Sequence, residues 1–248
     1  MKISVLIIAH NEEKYIAECL KSVLNQTKPP DEIVLLAHNS SDQTLKIAES
    51  FPVTVVPFNG AAGITNARLE GLKHISGDII LCLDGDSFVQ NNWVEVMTAT
   101  LKNNKNVLAG SWVKFKGTIF GNIYNIFSRY ACFLNNQRMA YWIWGASFIF
   151  WGRDKNFVRE IFEKSLAWSK EIGLPRNPED YWLALFMRER GRLEVTNKTW
   201  ITSYAKNSSS IKEIFRRMES RKNRNLMKDY FQKIKNQIFG VSPNSSPL

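Results

Sequence analysis

The stretch Asp78-Ile79-Ile80-Leu81-Cys82-Leu83-Asp84-Gly85-Asp86 decides the fold, because an unbroken apolar run ends abruptly in two carboxylates. Ile79 to Leu83 show no alternation of apolar and polar residues, which fits a strand covered on both faces, as in a parallel sheet with helices on each side. Asp84 and Asp86 stand two apart and leave an extended backbone on the same side. Gly85 keeps the space between them clear and tolerates a bend. Paired carboxylates at a strand's carboxyl end suit a hard divalent cation that also holds a substrate phosphate. A solvated turn is the plainer reading of an isolated Asp-x-Asp. The flanking chain decides between the two.

Upstream, strands and helices alternate. Ile3 to Ala9 reads as a buried first strand, and Asn11 is the expected cap of a helix whose Ile16, Cys19, Leu20, Val23 and Leu24 recur at helical spacing. Ile33 to Ala37 forms a second strand. The polar turn His38 to Asp42 follows, with Ser41 or Asp42 capping a helix from Gln43 to Ser50. Val53 to Val56 makes a third strand, and Asn59 to Gly63 is a loop opening a helix through Asn66, Arg68 and Leu72. This alternation predicts an α/β fold with a mainly parallel central sheet flanked by helices. Neither a Gly-x-Gly-x-x-Gly after the first strand nor a Gly-Lys-Ser/Thr phosphate loop is present.

The chain of 248 residues is long enough for a sizeable core, and its charge is unevenly placed. There are 33 Lys and Arg against 23 Asp and Glu, yet residues 206–240 hold ten basic and three acidic residues, so +7 of the net +10 lies in that segment. A local anionic partner is the expectation. Cys19, Cys82 and Cys132 form no Cys-x-x-Cys pair, so they read as buried apolar residues of a reducing compartment. The apolar start carries no secretory cleavage pattern. The uncharged, aromatic-rich stretch Met139 to Gly152 falls short of the ~20 residues a helix needs to cross a bilayer.

Taken in order, several stretches resemble family 2 glycosyltransferases, nucleotide-diphospho-sugar transferases with the GT-A fold. They are Ser4 to Glu13, the helix from Ile16 to Gln26, Pro30-Asp31-Glu32-Ile33, Asn39 to Thr44, Ala67-Arg68 with Gly71, Gly77-Asp78, Asp84-Gly85-Asp86, Gly145-Ala146 and Glu179-Asp180. The resemblance runs from Ile3 to about Ser203. It implies that Asp84 and Asp86, chiefly Asp86, hold Mg2+ or Mn2+ against the diphosphate of a sugar nucleotide. It also implies that Asp180, with Glu179 beside it, supplies the base that deprotonates the acceptor hydroxyl, inverting the sugar's configuration. Asp and Glu in a first helical turn are also favoured by the helix dipole alone.

The resemblance places Ala9, His10, Asn11, Glu12, His38, Asn39, Arg68, Asp84, Gly85 and Asp86 around the nucleotide-sugar, with Arg68 near the diphosphate. Trp144, Gly145 and Ala146 fall on its acceptor side. Three departures stand out: Ile8 where the family usually has proline, Leu69 where asparagine commonly follows Ala-Arg, and Ala37-His38 where an aspartate commonly meets the nucleobase. A carboxylate accepts freely from a uracil imide, whereas neutral His38 accepts with one ring nitrogen. UDP is the default donor nucleotide. His74 reads as a helix-terminal or surface residue.

The expected organisation is a glycosyltransferase domain over residues 1–205, with a nucleotide-sugar half (1–110) and an acceptor half (111–205). A basic helical extension (206–240) and a disordered tail (241–248) follow. The aromatics of Thr118 to Leu134 fall at helical spacing, a pattern of core packing, and Trp142 and Trp144 offer stacking or packing surfaces. In the extension, Ile211, Ile214, Phe215 and Met218, then Leu226, Met227, Phe231, Ile234 and Ile238, oppose Lys and Arg. Such helices either adsorb on an anionic membrane or pack on the domain. The expected setting is cytoplasmic, peripheral on the inner face of the cell membrane, with a glycan or lipid-linked acceptor and no nucleic-acid partner. The alternative is a non-catalytic protein of the same fold serving as a binding or scaffold surface.

Overall fold

In the computed structural model, residues 1–103, 106–116, 143, 145–174, 177–204, 225–235 and 238 are described. The aromatic stripe Thr118 to Leu134, Trp142, Trp144, Cys132, residues 205–224 and the 241–248 tail lie outside them.

The strands are β1 (Ile3–Ala9), β2 (Glu32–His38), β3 (Thr54–Phe58), β4 (Ile79–Asp84), β5 (Ser87–Val89), β6 (Asn106–Lys116), β7 (Ser147–Trp151) and β8 (Arg192–Tyr204). They form one eight-stranded sheet in the order β3-β2-β1-β4-β7-β6-β8-β5. From β3 to β4 every pairing is parallel. β7 then runs antiparallel to both β4 and β6, β6 pairs parallel with β8, and β5 closes the far edge antiparallel to β8. The sheet is therefore mixed beyond the doubly wound half. The helices are α1 (Ile16–Leu24), α2 (Thr44–Glu49), α3 (Ile64–Gly71), α4 (Trp93–Lys102), α5 (Lys155–Glu171) and α6 (Glu179–Arg190). A further helix, α7, covers residues 225–235. No helix among the described residues is long and apolar enough to cross a membrane.

Because side chains alternate along a strand, the apolar runs feed two cores. Val5, Ile7, Leu81 and Leu83 point to α1 and α4, where Leu20, Trp93 and Met97 are buried. Leu6, Ile8, Ile80 and Cys82 point to the other face, packed by α3, α5, α6 and α7. The amino edge of the sheet is sealed by Glu32, which accepts from Ser4 Oγ (2.6 Å), the Ser76 backbone N–H (2.9 Å) and Lys2 Nζ (2.9 Å). Burial alone would raise the Glu32 carboxyl, but these hydrogen bonds bring it down to about 2.

One local expectation changes, and one helix is buried more fully than an amphipathic pattern requires. Asn11 does not cap α1, which begins at Ile16. Asn11 instead has φ 53° and accepts from the Ser41 N–H at 2.9 Å, tying the first loop to the turn after β2. α6 is not one-sided: Tyr181 to Met187 are all buried, because the helix lies between the sheet and α5 with α7 outside it. In α7, Met227, Phe231 and Ile234 join the core, with Phe231 edge-on to Phe186 at 4.9 Å. The apolar face of this part of the basic extension is spent on the domain itself.

Replacing Phe231 by Ala is expected to cost about 3 kcal/mol in urea unfolding, whereas Leu226→Ala, at an exposed position, should stay within about 0.5 kcal/mol. Equal effects would show that α7 does not dock through this face.

Candidate active site

Parallel strands direct their carboxyl ends to one edge, and the Asp84-Gly85-Asp86 turn forms there as β4 ends. The Gly85 N–H donates to the Ile8 carbonyl at 2.8 Å, and a Cβ on Gly85 would lie 2.9 Å from Ala9 Cβ. Glycine is therefore required for the turn to lie against β1. Asp86 accepts from Ser87 Oγ through Oδ1 at 3.2 Å, and its carbonyl accepts from the Tyr204 N–H at 3.2 Å.

These residues line a cleft of about 300 Å³ together with His10, Glu12, His38, Asn39, Ala62, Gly63 and Ile64. His10 Nδ1 lies 2.8 Å from the His38 carbonyl. A carbonyl only accepts, so Nδ1 carries the proton there. His38 is buried, stacks on Phe58, and has Nε2 3.0 Å from both the Ala61 carbonyl and Asn39 Nδ2. Asn39, at φ 46°, also donates to the Gly60 carbonyl at 3.1 Å, so the turn after β2 anchors the loop before α3.

Beside the cleft lies a buried ion cluster. Arg68, 1% exposed, projects from α3. Its Nη2 donates to Asp84 Oδ1 at 2.9 Å and to the Gly145 carbonyl at 2.6 Å, and its Nη1 donates to Glu179 Oε1. The Phe148 ring lies 5.3 Å from the guanidinium carbon. Asp180, at the start of α6, accepts from the Gly145 N–H at 3.0 Å and the Tyr181 N–H at 2.8 Å. A Cβ on Gly145 would come within 3.2 Å of Asp180 Oδ2, so a side chain there would press on the carboxylate. The approach to α6 is fixed by Asn177, which donates to Thr65 Oγ1 (2.9 Å) and Ser165 Oγ (2.8 Å) and accepts from Ser169 Oγ (2.8 Å).

Burial pushes Asp84 up to about 7; Arg68 opposes this, while Asp86 and Glu179 add to it. Burial likewise takes Asp180 to about 7, with Glu179 raising it further and Arg68 opposing. For Arg68, burial disfavours the charge, but Asp84 and Glu179 more than compensate and keep it cationic. Cys19 and Cys82 take no part: burial pushes the Cys82 thiol to about 12 and raises Cys19 well above its ordinary value.

Of the residues singled out from the sequence, His10, Glu12, His38, Asn39, Asp84, Gly85 and Asp86 meet at the cleft. Ala9 is buried beneath Gly85, and Asn11 braces the neighbouring loop. Arg68, Glu179, Asp180 and Gly145 form the adjoining cluster, and Ala146 joins it by accepting from the Asp84 N–H at 3.3 Å. Ala62, Gly63 and Ile64 are cleft residues that sequence reasoning missed. Their signal was positional: the loop leaves the carboxyl end of β3, the same edge as the Asp motif. The donor set suits a divalent cation in part. Asp84 and Asp86 reach the cleft, with Glu12 also lining it, but no group of three or more His, Cys, Asp or Glu is placed to hold a metal ion by itself among the described residues. Such an ion would complete its shell with substrate oxygens and water.

A family model described as "Glycosyl transferase family 2" matches residues 4–162. A glucosyl-dolichyl phosphate glucuronosyltransferase of Haloferax volcanii is 23% identical over 186 residues, covering 70% of this chain and 54% of the relative. The chain thus spans about half the length of that relative. Among solved structures, Staphylococcus aureus TarS 1-349 in complex with UDP superposes with TM-score 0.59 at 20% identity, covering 82% of this chain and 60% of that one. The mannosyltransferase PcManGT of Pyrobaculum calidifontis, in complex with GDP-Man and Mn2+, gives TM-score 0.60 at 18% identity, with 84% and 58% covered. These structures share the fold.

Because folded Asp84 and Asp180 hold protons that the unfolded chain releases above about pH 4, their contribution to stability is full below that pH. It is lost as the pH climbs through about 7. With a chelator present, Tm is expected to fall between about pH 5 and 8, and to fall less in Asp180→Asn. Parallel curves for the two proteins would contradict the assignment.

Proposed function

This chain belongs to glycosyl transferase family 2, and on that premise we propose that it transfers a sugar from a nucleotide-diphospho-sugar to an acceptor hydroxyl, with inversion at the anomeric carbon. The observation that carries the reading is the pairing of an open cleft lined by Asp84-Gly85-Asp86 with a carboxylate, Asp180, joined to it through Gly145 and Arg68. Asp86, with Asp84, would hold Mg2+ or Mn2+. Such an ion, when bound, offsets charge that builds on the leaving diphosphate.

His10, Glu12, His38 and Asn39 line the cleft where base and ribose would lie. UDP is the proposed nucleotide, in line with the UDP complex of TarS, and GDP is the rival because PcManGT binds GDP-Man. Asp180 takes the proton from the acceptor hydroxyl. A carboxyl near 7 is well matched to that task at neutral pH, and it acts only when ionised, so turnover should rise as the pH passes that value. The proposed acceptor is a glycan or a lipid-linked precursor, a choice supported by the dolichyl-phosphate substrate in the name of the Haloferax relative.

One feature favours a second reading, a non-catalytic protein that keeps the fold as a binding surface. His38 stands where the family commonly has a carboxylate, and its Nε2 lies against protein atoms.

One experiment separates the two readings. Thermal shift and hydrolysis are measured with UDP-glucose, UDP-GlcNAc and GDP-mannose, with and without Mn2+. A Mn2+-dependent shift is expected with a UDP-sugar and should vanish in Asp86→Ala. Asp180→Asn should keep the shift but lose about 10²-fold or more in turnover. Shifts without turnover would favour the binding protein, and unchanged turnover in Asp180→Asn would remove Asp180 as base.

A further inference from the structure

We infer that Arg68 and Glu179 are positioning residues, a buried ion pair that ties the carboxylate at the diphosphate site to the base, and that neither contacts donor or acceptor. The inference rests on the proposed roles of Asp84, Asp86 and Asp180.

Burial argues first against direct contact. Arg68 is 1% exposed and Glu179 6%, and neither lines the cleft. The guanidinium meets three oxygens on three different segments: Asp84 Oδ1 at the end of β4, the Gly145 carbonyl before β7, and Glu179 Oε1 at the start of α6. Phe148 lies against it. Nε, the donor with no hydrogen-bond partner, is itself buried, so a diphosphate could engage this fork only by opening the packing around it.

Connectivity argues next for a positioning role. The Gly145 peptide is shared: its carbonyl accepts from Arg68 while its N–H donates to Asp180. The next carbonyl, that of Ala146, accepts from the Asp84 N–H. Arg68, Asp84, Ala146, Gly145 and the Glu179-Asp180 pair thus close a ring in which Asp84 and Asp180 cannot shift independently.

Charge supplies the consequence. Glu179 shares the Arg68 cation with Asp84. If Glu179 is neutralised, the unshared cation bears wholly on Asp84 and opposes a second cation there. A residue on α6 should then control cation binding at the end of β4 without touching the ion.

The test measures Mn2+ binding by electron paramagnetic resonance, with and without UDP, for wild type, Glu179→Gln, Arg68→Met, Arg68→Lys and the Arg68→Met/Glu179→Gln double variant. The double variant removes both charges of the pair and guards against the misfolding that one unpaired buried charge invites. Glu179→Gln should weaken Mn2+ binding about tenfold when Arg68 is present and at most about threefold in the Arg68→Met background. Equal fold-changes in the two backgrounds overturn the inference.

At saturating Mn2+, with hydrolysis of UDP-glucose as the readout, Glu179→Gln and Arg68→Lys should lower kcat about tenfold and leave KM within about threefold, with Arg68→Lys retaining more activity than Arg68→Met. A tenfold rise in KM at unchanged kcat would make the mutated residue a substrate contact and overturn the inference. Wild-type protein that binds neither Mn2+ nor UDP would instead remove the proposed function on which the inference stands, a result distinct from additive variants of a protein that binds both.

Discussion

A cation taken out of water must find its solvation inside the protein, and Arg68 finds it in Asp84, Glu179 and the carbonyl of Gly145. The partners come from β4, from the start of α6 and from the chain entering β7, so these three bonds form only when these segments have assembled, and Nε stays buried without a partner. Two carboxylates bonded to it, with Asp86 and Asp180 close by, outnumber the single positive charge. That imbalance, together with burial, keeps Asp84 and Asp180 near 7 and leaves the site receptive to a further cation. Such a pair contributes little net stability. It links Asp84, through the Gly145 peptide, to Asp180.

The sheet creates the place where this happens. Its parallel half delivers the ends of β1, β2, β3 and β4 to one edge, which is where the cleft opens. The antiparallel entry of β7 beside β4 sets Gly145 and Ala146 directly against the end of the Asp84 strand. α6 then presents Asp180 from a helix buried all round, clamped by Asn177 at its start and by α5 and α7 along its length. Large apolar burial far from the cleft, at Trp182, Phe186 and Phe231, therefore bears on the placement of Asp180.

The C-terminal extension has two faces with different work. Met227, Phe231 and Ile234 fill the space over α6, while Lys235 reaches Glu189 at 3.7 Å, a contact worth little at the surface. A basic amphipathic pattern is the same whether its apolar side meets lipid or protein, and only the presence of a complementary apolar groove separates the two outcomes. Over residues 225–235 that groove exists.

By itself the sequence determined the strands of the first half, since unbroken apolar runs such as Ile79 to Leu83 can only be covered on both faces. It also determined the carboxylates at their ends, because Asp-Gly-Asp after such a run is a local pattern. The family resemblance rested on the same kind of short, ordered motifs. Tertiary structure alone decided what these residues face. Asn11 matched a helix cap by type, yet the helix starts five residues later and its amide serves a neighbouring loop. Arg68, which the resemblance set near a diphosphate, is buried and bonded to Asp84 and Glu179. Glu179 and Asp180 are adjacent and chemically alike, but one turns to Arg68 and the other to Gly145. Residues 68, 84, 145 and 179 are far apart in the chain, and no local periodicity encodes a contact among them. Their relation exists only once the strands and α6 have packed around one buried charge.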